Sequence, residues 1–200
     1  VYAIHFLLEA EKKGYLVPEG MKRNALNDLS RIARNWKPEA SYSAESEEMT
    51  QAYRLFVLAL GQVAEVGAMN RLKESKTLMS MSRYLLAAGY ALVGRPDVSK
   101  ELVVKTTALT TACSGYDQTF GSDLRDASIR LMTLCLLDGG KEAALLANEI
   151  SKTLASDDWL STQSTAFSLV ALSDYMEKYK MSGSMDFSYA VDGKAKKVST

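Results

Sequence analysis

The chain has 200 residues, of which 47% are apolar, enough to bury a sizeable core and too many for a disordered segment. Its 24 basic residues balance 24 acidic ones, so no net field draws it to nucleic acid or to an anionic membrane surface. Two cysteines are too few for a disulfide framework, and no apolar run is long enough to span a membrane.

Residues 2–13 read as a helix closed by Gly14, with Lys12 and Lys13 near its negative end. Pro18 and Glu19 open a second helix, whose apolar positions Met21, Ala25, Leu29 and Ile32, with Leu26 and Ala33, mark a buried stripe ending before Pro38. Residues 39–48 are polar and turn-like. Helices are expected over 50–60, 66–72 and 78–93, and Pro96 restarts the chain for one or two turns. Residues 106–121 are expected to form an irregular excursion containing Cys113, Tyr116 and Phe120.

Ser122 caps the next helix, which runs to Leu137 with Asp123 and Asp126 in its first turns and Gly139-Gly140 after it. Residues 141–154 carry Ala143, Ala147, Ile150 and Leu154 on one face, and residues 160–179 form the last helix. The period then changes. Met185, Phe187, Tyr189 and Val191 alternate with polar or small residues and lead into Asp192-Gly193, a strong hairpin signal, so residues 183–200 read as a β-hairpin or the start of a following β-rich domain.

One kind of segment recurs four times, at 50–61, 82–94, 122–140 and 161–175: an apolar, alanine-bearing helix that runs into a glycine or acidic stop. Helices apolar on almost every side suit an inner layer, and those with one apolar stripe suit an outer layer. Alternation of the two defines an α-solenoid or an α/α toroid, because one pair cannot bury its own apolar face.

The loops carry little chemistry. No phosphate-binding glycine motif or histidine pair for zinc occurs, and His5, the single histidine, lies in an apolar helix where it reads as structural. Asp123 with Asp126, and Asp157 with Asp158, read as helix-terminal acids. Their alternative use is as the carboxylate pair of a glycan-active toroid enzyme. Arg125 and Arg130 stand ready to pair with these acids. Tyr116, Phe120 and Trp159, in or near loops at helix starts, are candidate partner-contacting residues, with Trp36 at a helix end. No catalytic residue, cofactor or metal site is assigned.

Residues 2–15 (YAIHFLLEAEKKGY), 50–60 (TQAYRLFVLAL), 121–126 (GSDLRD) and 159–163 (WLSTQ) together resemble the bacterial alpha-2-macroglobulin family, in the later part of its thioester domain. The resemblance covers roughly residues 1–180. It implies an incomplete α/α toroid of paired inner and outer helices, with an apolar edge that promotes self-association where its first helices are missing. It also implies a role without chemistry of its own, as the helical thioester-type domain of a protease-trapping macroglobulin. Such proteins are secreted or periplasmic cell-envelope proteins, often lipid-anchored, and their partners are target proteases and their own other domains. The reactive Cys-x-x-Gln does not occur: Cys113 precedes Ser-Gly-Tyr and Cys135 precedes Leu-Leu-Asp. Leu7, Trp159 and Gln163 match the family motifs as structural positions. A non-covalent protein-binding helical module is the remaining alternative.

Overall fold

A computed structural model of the chain describes residues 1–38, 44–75, 78–107, 122–179, 186–191 and 194–199. The described helices are α1 (Tyr2–Lys12), α2 (Glu19–Asn35), α3 (Ala44–Leu60), α4 (Val66–Lys73), α5 (Ser80–Leu92), α6 (Pro96–Thr107), α7 (Asp123–Leu136), α8 (Gly140–Leu154) and α9 (Thr162–Lys178). Strands β1 (Asp186–Val191) and β2 (Lys194–Ser199) follow. They pair antiparallel, with Phe187 opposite Val198 and Tyr189 opposite Lys196, so the expected hairpin forms. Its turn residues, Asp192 and Gly193, lie outside the described residues, as does Met185.

Inner and outer layers separate by burial. α5 buries every residue from Tyr84 to Tyr90, and α7 buries ten of its residues. By contrast α8 buries one stripe, Ala143, Leu146, Ala147 and Ile150, the i, i+3, i+4, i+7 face of an amphipathic helix. The inner helices pack in series, α3 on α5, α5 on α7 and α7 on α9. The outer helices sit behind them: α2 and α4 on α3, α6 on α5, and α8 on α7 and α9. A Cβ at Gly89 would lie 3.2 Å from the Met69 Cε of α4, tighter than ordinary contact, and in ordinary contact with the Phe56 Cα of α3.

The inner layer curls back on itself. Tyr53 of α3 meets Phe167 of α9 with ring centroids 5.7 Å apart, and Tyr2 of α1 sits in the seam against both rings, at 5.1 and 5.8 Å. Closing curvature distinguishes an α/α toroid from an open solenoid.

Helix ends follow a repeated rule. α1, α3, α5 and α7 each end with one residue in the left-handed region, Gly14, Gln62, Gly94 and Asp138. The next amide bonds back five residues: Tyr15 N to Ala10 O, Val63 N to Leu58 O, Arg95 N to Tyr90 O, and Gly139 N to Leu134 O. This closure satisfies carbonyls that the helix leaves orphaned. It is the structural content of the glycine or acidic stops. At the other end, Ser122 and Ser161 cap α7 and α9 by accepting from Arg125 N and Ser164 N.

Several expected boundaries shift. α3 begins at Ala44, not Thr50, because polar residues of its early turns are buried with partners: Glu48 accepts from Met79 N at 2.9 Å and Ser75 Oγ at 3.0 Å, and Gln51 donates to Ala33 O at 3.0 Å. α6 runs to Thr107, longer than one or two turns. Val98, Leu102 and Thr106 form its buried stripe, and the Thr106 hydroxyl donates to Leu102 O at 2.8 Å. The stripe of α2 is rotated to Leu26, Leu29, Ser30 and Ala33, leaving Met21 and Ile32 exposed. On α8, Leu146 is buried while Leu154 is half-buried.

Candidate functional site

Residues near the starts of the inner helices gather at one end of the ring. Tyr2, Thr50, Tyr53, Arg125, Gln163 and Phe167 line a shared depression there. Gln163 donates to the Tyr2 hydroxyl across the α1–α9 seam. Arg125, 3% exposed, donates through Nε and Nη2 to Asp126 Oδ1 at 2.9 and 2.8 Å. The seam between α7 and α9 is made of hydroxyls, with Ser122 against Ser164 at 2.6 Å and Ser128 against Ser168 at 3.0 Å.

Halfway along the ring, His5 is buried among Tyr53, Phe56 and Phe167. Its Nδ1 lies 2.8 Å from the Tyr53 hydroxyl, and its Nε2 is buried without a hydrogen-bond partner. Burial holds the imidazole down at about 4, so the ring is neutral at physiological pH. It serves as a structural histidine.

At the opposite end, the inner helices converge on a pocket of about 390 Å³. Phe56, Met132 and Cys135 form its apolar wall, while Glu9, Lys12 and Asp174 stand among its polar lining. Burial, with Asp174 adding to it, pushes the Cys135 thiol up to about 11, so it is a neutral, inert thiol.

The carboxylates weighed for glycosidase chemistry lie in the first turn of α7 and in the turn before α9. Asp126 is engaged by Arg125, as its neighbour's position suggested. Asp123 is exposed at the first residue of α7, and Asp157 and Asp158 are exposed in the turn before α9, where Ser156 Oγ donates to Asp158 at 3.1 Å. Trp159 is 88% exposed in that turn, whereas Trp36 is half-buried at the end of α2. Tyr116, Phe120 and Cys113 lie outside the described residues. Sequence reasoning missed the charged set around the 390 Å³ pocket. Its available signal was that Lys12 and Lys178 close α1 and α9.

A series of inner helices backed by outer ones, curling so that Phe167 of α9 meets Tyr53 of α3, defines a helical toroid module. No protein-family model matches the chain. It is 29% identical over 174 residues to the alpha-2-macroglobulin of Escherichia coli, a match covering 81% of this chain and 10% of that protein. The crystal structure of native E. coli alpha-2-macroglobulin from domain MG7 to the C-terminus matches all of this chain and 32% of its own, at TM-score 0.70 and 22% identity. The trypsin-activated E. coli protein matches all of this chain and 14% of its own, at TM-score 0.66 and 21% identity. The resemblance to bacterial alpha-2-macroglobulins read from the sequence is therefore borne out, and the chain spans about a tenth of the length of the curated relative it matches.

Proposed function

We propose that this chain acts, within a longer protein, as the helical thioester-type domain of a protease-trapping macroglobulin of a bacterial cell envelope. Residues 1–180 form the toroid, and residues 183–200 open the β-rich domain that follows. The observation that carries this reading is a sequence match to E. coli alpha-2-macroglobulin over most of the chain, joined to a fold match over all of it. That a related structure is of a trypsin-activated form makes endopeptidases the fitting targets. The segment has no chemistry of its own in this account. It is a scaffold, and a reactive Cys-x-x-Gln would be supplied by the parent chain upstream. Tyr116, Phe120 and Trp159 are its proposed contacts with other domains or with the captured protease, Trp159 by virtue of its exposure.

The test is denaturing electrophoresis of the full-length parent after exposure to trypsin. Covalent capture gives an adduct that survives denaturation and disappears when the upstream cysteine is replaced. A parent that is cleaved, yet yields neither an adduct nor a protease-enclosing complex in native gels, refutes the proposal.

A further inference from the structure

Helix α1 and the inner helices α3, α5, α7 and α9 all run the same way, and their C-termini meet at one mouth. Lys12, Leu60, Leu92, Leu136 and Lys178, the last residues of α1, α3, α5, α7 and α9, line the same pocket. A helix C-terminus carries roughly half a negative charge. Within their last turns α1 and α9 carry a lysine, but α3, α5 and α7 carry no basic residue. Both lysines are already engaged. Lys12 donates to Asp174 at 2.9 Å and lies 3.4 Å from Glu177, and Lys178 lies 2.5 Å from Asp138. Lys13 approaches Glu177 at 3.5 Å.

The carboxylates of Asp138, Asp174 and Glu177 each have an ammonium of Lys12, Lys13 or Lys178 within ion-pair range, and Lys100 acts on Asp138 from farther off. Among the described carboxylates at this mouth, Glu9 has no ammonium within ion-pair range. Its side chain is 18% exposed, and its nearest basic nitrogen within ion-pair range is His5 Nε2, at 3.8 Å, on a neutral ring. Burial first, and then Asp174, hold the Glu9 carboxyl above its usual range, against the lowering pull of Lys12 and Lys13 from farther off. The neutral Cys135 thiol adds no charge. Beside this group the wall is apolar, and a volume of about 390 Å³ lies in the range of small-molecule sites.

We propose that this mouth binds an amphipathic monocation, an arylalkyl- or alkylammonium whose apolar body lies against Phe56 and Met132 and whose ammonium rests on Glu9. Helix ends and carboxylate supply the charge complementarity, and the apolar wall supplies the affinity. The site is independent of protease trapping and stands or falls separately from it.

The test is calorimetric titration of the 200-residue chain at neutral pH and low salt with three probes of one shape: 4-phenylbutylammonium, 4-phenylbutanol and 4-phenylbutanoate. The ammonium is expected to bind saturably at one site, the alcohol about tenfold more weakly, and the carboxylate not at all. Glu9→Gln should weaken the ammonium about tenfold and leave the alcohol unchanged. Leu136→Trp, at a rim position that is 39% exposed, should block both without changing the melting temperature. Methyl NMR of the unmodified chain gives a readout that needs no variant, since the Met132 methyl signal should shift on titration with the ammonium. Equal binding of ammonium and alcohol, no saturable binding up to about 10 mM, or shifts that spare Met132 would each overturn the proposal.

Discussion

His5 Nδ1 and the Tyr53 hydroxyl meet at 2.8 Å inside the inner ring, with Phe56 and Phe167 packed around the imidazole. This contact ties α1 to α3, and the ring environment keeps the imidazole neutral. The folded His5 titrates at about 4, below its ordinary 6.5. The unfolded chain therefore takes up this proton first as the pH falls. The stabilisation is intact above about 6.5 and is lost progressively as the pH drops toward 4, by about 3 kcal/mol in all. Glu9 acts in the opposite sense, because its raised pKa favours the folded state on acidification. The difference between variants isolates His5. Urea midpoints measured at pH values on either side of this window should fall more steeply for the parent chain than for His5→Phe. Identical slopes would remove His5 as the cause.

The hydroxyl itself has a separate signature. Tyr53→Phe leaves the ring contacts in place but strips the partner from Nδ1, at a cost of about 1–2 kcal/mol in chemical denaturation. A change below a few tenths would show that the aromatic packing alone holds α1.

Gln62 stands where α1 and α5 use glycine, at φ 61°. A side chain in this region costs roughly 1 kcal/mol. Gln62→Gly should raise the thermal midpoint, and Gly94→Ala should lower it by a comparable free energy, although a Cβ at Gly94 meets nothing within 4 Å. Opposite signs at the two positions are the expected result. Changes of the same sign would mean that the left-handed closure is not what governs them.

Inner and outer layers should differ in tolerance. Leu134 is 5% exposed on α7, and Leu145 is 62% exposed on α8. Leu134→Ala should cost about 2–5 kcal/mol and Leu145→Ala less than about 0.5 kcal/mol. Similar losses at both would contradict the two-layer architecture.

The layer alternation was legible in the sequence because it rests on composition around the helix. Tyr84 to Tyr90 carries no charge, while residues 141–154 keep one wet face. The stops at Gly14 and Gly94 were legible because few residues tolerate the left-handed region, whereas α3 places Gln62 there, one residue beyond the expected Gly61, and α9 runs past Asp174 to Lys178. The start of α3 was hidden because Glu48 and Gln51 look like surface residues until the chain from α4 to α5 and the end of α2 supply their partners. The rotation of the α2 stripe followed from which face meets α3, a tertiary choice that the spacing of Met21 and Ile32 does not encode. His5 was readable as structural, but its pairing with Tyr53, 48 residues on, was not. The pocket at the helix C-termini was invisible for a similar reason: five residues spread from Lys12 to Lys178 meet only because the ring closes.

The central claim is that this toroid serves a macroglobulin that encloses or captures proteases. The most direct measurement is the residual activity of trypsin after incubation with the full-length parent, assayed in parallel on a large protein substrate and on a small chromogenic peptide. The account predicts that cleavage of the large substrate falls sharply while cleavage of the small peptide is largely kept, because the trapped enzyme remains active but shielded. Undiminished cleavage of the large substrate, with the parent itself cut, would contradict it.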